Sequence, residues 1–240
     1  MKQRSNVSDV GGYHNRDLAA SAGRIVRGTS WRHARVVVVI PAAETIPAKV
    51  AFSHWCLAFP PNQGVYRHLA QGSEVGEAYS TAIAEVLAHP ELSKWEYLLT
   101  IEHDNAPPAD GVIKLIERMQ ANPEFACIGG LYWTKGEGGV PQIWGDARDP
   151  MVNFRPQAPD PDGGLVECHG TGMGFNLWRL SMFKDARLRQ PWFKTGDGCT
   201  QDLYFWTDAR KWGYRCAIDC SVKVGHYDHE GKFGPAGTMW

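Results

Sequence analysis

The sequence predicts one α/β domain built on a mostly parallel central sheet with helices on its faces. Three observations carry that expectation. From Val36 to Leu131, short runs of β-formers alternate with segments of helical period, the order that builds a parallel sheet by crossover connections. The runs Val36–Ile40, Tyr97–Ile101 and Phe125–Leu131 are apolar almost throughout, as strands covered on both faces must be. One of them ends abruptly in Glu102-His103-Asp104, and the carboxyl ends of the strands are where an open α/β sheet leaves its crevice.

In chain order, the first strand is Val36–Ile40, expected to stop at Pro41. A helix is expected from Pro47 to Leu57, since a proline without its N–H is tolerated in a first turn, and Pro60-Pro61-Asn62 ends it. A short strand over Gly64–Leu69 leads to the clearest helix of the chain. Apolar or small residues there recur at Val75, Ala78, Tyr79, Ala82, Ile83, Val86 and Leu87, one buried face at a period of 3.6, with Ser73 as the expected N-cap. After the Tyr97–Ile101 strand, Val112, Ile113, Ile116 and Met119 mark a second amphipathic helix that ends near Asn122-Pro123. Lys135 to Gly164 is rich in Gly, Pro and Asp and has no period, a long irregular insertion of the kind that is usually functional. Order returns over Leu165–Leu177, followed by a helical turn at Arg179–Lys184 and a helix from Gln201 to Trp212 that closes at Gly213. In Arg215–Gly225, Cys216, Ile218, Cys220, Val222 and Val224 alternate with more polar residues, predicting a strand with two distinct faces.

Composition narrows the class. A chain of 240 residues with 43% hydrophobic content and a formal net charge of −1 has an ordinary globular make-up and no global field toward nucleic acid or an anionic membrane. No apolar run is long enough to span a bilayer, and the N-terminal stretch MKQRSNVSDVGGYHNRD lacks the apolar core of a secretory signal, so a cytoplasmic protein is expected. Six scattered cysteines in a chain of this size read as free thiols. Residues 1–35 form a basic arm, with Lys2 and six arginines against Asp9 and Asp17, either a tail or a clamp over a phosphate-bearing ligand. Residues 36–230 are the expected folded domain, and 231–240 a C-terminal tail. Ten tryptophans supply more flat apolar faces than a core needs; Trp133 lies near the polar motifs, where it would stack on a sugar or a base.

Four motifs stand in a fixed order. The acidic cluster at Glu102 and Asp104 suits a hard divalent cation and phosphate oxygens. His169-Gly170-Thr171-Gly172-Met173-Gly174-Phe175 places glycines where a backbone must approach a ligand closely. Asp202 opens a helix, a position that the helix dipole also favours for a plain capping acid. His226 closes the last strand.

That order resembles the GT-A glycosyltransferases, in particular the family 2-like group that uses a nucleotide-sugar donor and a divalent metal. The resemblance spans Val36 to His229 and implies a Rossmann-like GT-A fold, with the long insertion on the acceptor side. It makes Asp104 the metal ligand of an Asp-x-Asp type motif, with manganese or magnesium as the ion and His226 completing its coordination. Glu102 replaces the usual first Asp, and its partner stays open between the donor ribose, the metal through a water, or neither. The first strand and Val39–Glu44, Pro41 included, hold the nucleotide in this fold. Gly172 belongs to the acceptor-side strand, and Asp202 is the catalytic base if the reaction inverts the anomeric centre. A UDP-sugar is the first choice of donor. A saccharide, a small alcohol or a modified base in DNA are the acceptors to be weighed.

Two rivals remain. Cys216, Cys220, His226 and His229 have the superficial spacing of a zinc module, yet residues i and i+4 on a strand lie about 13 Å apart, too far to share a tetrahedral ion. A nucleotidyltransferase, or a non-catalytic nucleotide-sugar-binding protein, keeps the same sheet and most of the same residues.

Overall fold

The computed structural model describes residues 33–42, 45–135, 138–196 and 198–227. The basic arm up to residue 32, Ala43, Glu44, Asp228, His229 and the expected tail at 231–240 lie outside the described residues. The described residues form ten strands: β1 Val36–Ala42, β2 Val65–Gln71, β3 Tyr97–Ile101, β4 Asn105–Ala106, β5 Phe125–Leu131, β6 Ile143–Asp146, β7 Leu165–Thr171, β8 Phe175–Arg179, β9 Arg215–Lys223 and β10 Gly225–His226. The α-helices are α1 Ala48–Cys56, α2 Val75–Ala88, α3 Gly111–Ala121 and α4 Gln201–Ala209.

Eight strands form one sheet in the order β2-β1-β3-β8-β5-β9-β7-β6, and β10 pairs with β4 in a small second sheet. The expected parallel pairing holds for β1 with β2 and β3 and for β5 with β9. The sheet as a whole is mixed, because β8 runs antiparallel between β3 and β5, and β7 and β6 continue antiparallel beyond β9. The chain leaves β1 toward β2 on one side and returns to β3 on the other, so the switch point of the sheet lies at the carboxyl ends of β1 and β3.

The alternation of side chains along β1 divides the core in two. Val37 and Val39 face Tyr79, Ala82 and Ile83 of α2 and a cluster of buried rings, while Val36 and Val38 face Leu99, Ile101 and the buried stripe of α3. The ring cluster holds Trp178, Trp192 and Trp206, three of the ten tryptophans. Trp178 stacks on Trp206 at 5.4 Å, meets Phe205 edge-on, and donates its indole N–H to Thr100 Oγ1 at 3.0 Å.

Several local expectations change. Pro41 does not end β1, which runs on to Ala42; the ladder to β3 stops at Val39, and at the strand's end a proline faces only β2. The cap of α2 is Glu74, whose carboxylate accepts from the N–H groups of Gly76 and Glu77, and not Ser73. The stretch Leu165–Leu177 is two strands that are not neighbours, divided at Gly172-Met173-Gly174. Strand β9 is buried on both faces through Cys220, since α3 covers the second one and Arg118 Nε donates to the buried Asp219 at 2.9 Å. The insertion contributes the edge strand β6. All six cysteines are free thiols, as their scatter predicts.

Arg35, counted with the basic arm, is engaged in the fold. Its guanidinium grips both oxygens of Glu96, at 2.6 and 3.0 Å, and donates to the Lys94 carbonyl. Burial alone would raise the Glu96 carboxyl, and the Arg35 hydrogen bonds outweigh it and hold it below the usual range. An acid with a lowered folded pKa contributes stability above its unfolded pKa and loses it as the pH falls through the folded one. Glu96→Gln is therefore expected to cost about 1 kcal/mol at pH 7 and progressively less as the pH falls through the lowered Glu96 value, which urea melts across the acid range will check.

Candidate active site

Strand β3 delivers Glu102 to the crevice, and a turn closed by Asn105 N–H donating to the Glu102 carbonyl carries the chain past His103 and Asp104. Glu102 N–H donates to the Gly174 carbonyl at 3.1 Å, so the turn between β7 and β8 is the floor under the acidic cluster. Next to it lies a cavity of about 760 Å³ lined by Pro41, Ala42, Gln71, Gly72, Ser73, Val75, Glu102, His103 and Asp104. It opens at the switch point between β1 and β3, where nucleotide ligands of open α/β sheets bind.

The small second sheet brings in the histidine. Its antiparallel pairing sets His226 opposite Asn105, and Tyr227 N–H donates to the Asp104 carbonyl at 2.8 Å. His226 Nδ1 lies 2.6 Å from the Trp133 carbonyl, which can only accept, so Nδ1 carries the proton. Nε2 faces Asp104 Oδ2 at 3.7 Å, donating toward the carboxylate when it carries a proton and offering its lone pair to an ion when it does not. A ligand histidine is oriented in the same way, its second ring nitrogen spent on a carbonyl.

These residues fit a divalent cation. Two atoms that each bind an ion at about 2.0–2.2 Å can lie up to about 4.3 Å apart, which admits the 3.7 Å separation. Asp104 Oδ1 is buried and has no hydrogen-bond partner, a carboxylate oxygen with capacity left for an ion. Among the described residues no group of three or more His, Cys, Asp or Glu converges as a closed metal centre. Two protein ligands suit an ion that completes its shell with water and substrate phosphate, as magnesium does, and a mixed O and N pair suits manganese. The zinc alternative does not assemble, for Cys216 packs on Cys168 at 3.8 Å while Cys220 Sγ accepts from Asp160 N–H.

The electrostatics are uneven. Burial, then the charges of Asp104 and Asp202, push the Glu102 carboxyl up to about 8. Burial would raise Asp104 too, yet His226 and Lys135 together outweigh it and keep its carboxyl well below the ordinary range. Lys135, which follows the β5 exit, puts its ammonium 2.5 Å from Asp104 Oδ2. Asp202 sits in the first turn of α4 behind the Thr200 cap, buried, with Oδ1 unpartnered. Its helix neighbour Gln201 reaches Glu102 Oε1 at 3.5 Å, tying that helix to the acidic cluster.

Of the residues singled out from sequence, Pro41, Glu102 and Asp104 meet in one cavity, and His226 meets Asp104. Trp133 and Gly172 do not line that cavity. Trp133 contributes its carbonyl to His226, while its ring packs beside the core. At Gly172 a Cβ would lie 2.3 Å from Tyr132 Oη and 2.5 Å from Gln142 Oε1, so the protein itself supplies the close neighbour. Sequence reasoning passed over Lys135, Tyr132 and the Gln71–Ser73 wall. Lys135 left only a weak signal, a cation just beyond the carboxyl end of an apolar strand.

No protein-family model and no curated protein matches the chain. Solved structures do. The crystal structure of A197 from STIV superposes with a TM-score of 0.59 at 14% identity, over 86% of this chain and 97% of that one. GalNAc-T7, crystallised with UDP, GalNAc and Mn2+, superposes with a TM-score of 0.57 at 12% identity, again over 86% of this chain, which spans 46% of that protein. At such identities the likeness concerns the fold, and the eight-stranded mixed sheet flanked by helices is the GT-A fold of glycosyltransferases.

Proposed function

We propose that this protein is a glycosyltransferase that moves a sugar from a nucleotide-sugar donor, a UDP-sugar first among them, to an acceptor hydroxyl with the help of manganese or magnesium. The observation that carries the reading is the convergence of Asp104 and His226 beside a cavity at the sheet's switch point. The GalNAc-T7 structure holds UDP, GalNAc and Mn2+ on the same fold. Asp104 and His226 would hold the cation, which when bound offsets the charge of a leaving nucleoside diphosphate. Pro41, Ala42 and the Gln71–Ser73 wall enclose the nucleoside. Burial lifts the Asp202 carboxyl above the ordinary aspartate range, which suits a general base for the acceptor hydroxyl in an inverting transfer. Saccharides, small alcohols and modified DNA bases remain the acceptor classes to assay.

No helix among the described residues is long and apolar enough to cross a membrane. The test is a thermal-shift panel of UDP-, GDP-, CMP- and dTDP-sugars with manganese, magnesium or chelator. One donor class with cation should raise Tm by roughly 5–10 °C at a hundredfold excess over Kd, and chelator should erase the shift. A flat panel under every cation sinks the proposal. Pyrophosphate released from a nucleoside triphosphate and a sugar phosphate would redirect it to nucleotidyl transfer.

A further inference from the structure

We propose that Lys135 is a built-in competitor of the divalent cation at Asp104, exchanged onto the donor's diphosphate when cation and donor bind together. The second half rests on the glycosyltransferase reading; the first does not.

The segment at residues 133–135 holds both candidate ligands. The Trp133 carbonyl orients His226, and two residues on the Lys135 ammonium sits 2.5 Å from Asp104 Oδ2. The segment is itself fixed, by the bridge of Trp133 to Pro141 and by Thr134, whose N–H donates to the Val140 carbonyl and whose hydroxyl accepts from Val140 N–H. Lys135 is thus placed by its backbone at the oxygen that Nε2 of His226 also faces.

An ammonium on Oδ2 and a cation bridging Oδ2 to His226 claim the same lone pairs and repel each other. Lys135 satisfies only one oxygen of Asp104, since Oδ1 stays buried without a partner, so the pair is an incomplete substitute for an ion. Its side chain is 35% exposed against 14% for Asp104, leaving the four-carbon stem free to swing while the carboxylate stays. A lysine is a compact cation on a flexible stem and suits such an exchange better than a planar guanidinium. Displaced from Asp104, the ammonium remains within reach of an anion bound to the cation.

The two halves predict opposite signs for one substitution. In the full-length protein without nucleotide, Lys135→Met is expected to bind Mn2+ about tenfold tighter than the parent by calorimetry. With saturating Mn2+, the same variant is expected to bind UDP about tenfold more weakly, and Lys135→Arg to recover most of that loss. A residue that only supports the fold would weaken both affinities or neither, and unchanged or weaker Mn2+ binding in Lys135→Met overturns the competitor role. UDP affinity equal in parent and variant overturns the transfer to the diphosphate. If Mn2+ binding tightens while UDP binds neither protein, the competitor role stands and it is the UDP-sugar reading that fails. Lys135→Gln repeats the series should the methionine variant not fold.

Discussion

Asp104→Ala is expected to lower cation-dependent donor binding by at least about a hundredfold and to abolish measurable transfer, with a loss of stability at pH 7 from the ion pairs it removes. Removing an outer-shell partner of a metal ligand already costs about 10- to 100-fold, and this substitution removes the ligand. The backbone contacts survive the substitution. The carbonyl of residue 104 still accepts from Tyr227 N–H, and β4 still pairs with β10. Lys135, the main side-chain partner left behind, is 35% exposed and can turn to water. Calorimetry with Mn2+ and the selected nucleotide sugar reads the first effect, and a melting curve the second. Asp104→Asn keeps the shape and one coordinating oxygen without the charge, and should fall between alanine and parent. Parental donor affinity in Asp104→Ala with cation present would remove Asp104 from the site and the metal reading with it.

How far the sequence anticipates this arrangement depends on the kind of signal each part carries. The strands at Val36, Tyr97 and Phe125 are legible because burial on both faces leaves an apolar run, and α2 because its buried face repeats every 3.6 residues. Strand direction has no such signature. Nothing in Phe175–Arg179 says that it enters antiparallel between β3 and β5, so a sheet read from alternation alone comes out too parallel. The break at Gly172-Met173-Gly174 depends on Tyr132, whose ring and hydroxyl fill the space of the missing side chains, a contact between residues some forty positions apart. Asp104 and His226 stand out as polar residues at strand ends. What joins them is a pair of two-residue strands, too short for any period, one of them running straight into prolines. Lys135 and the Gln71–Ser73 wall carry residue types that in a sequence read as solvated loop, and only the convergence of β2, β3 and β5 exits gives them a role.

Asp202→Asn should separate chemistry from binding, with kcat lowered by about 10²–10⁴-fold, the range for loss of a general base, and Mn2+ and donor affinities within about twofold of the parent. The substitution is nearly isosteric, and Asp202 is not among the residues that line the donor cavity. Burial raises its carboxyl, and the Thr200 side chain and Leu203 N–H offset only part of that. The charge of Asp202 in turn helps to push the Glu102 carboxyl up to about 8. Ionised, Asp202 presents an unusually basic carboxylate to the acceptor hydroxyl. The rate should therefore fall as the pH drops through the raised Asp202 value, and residual activity of the asparagine variant should lose that acidic limb. Stability moves the other way. An acid with a raised folded pKa costs the fold once it is ionised, so the variant should melt at or above the parental temperature at pH 7. A kcat within tenfold of the parent, with the acidic limb intact, would assign proton removal to another group and leave Asp202 as an orienting residue, the outcome expected of a configuration-retaining transfer.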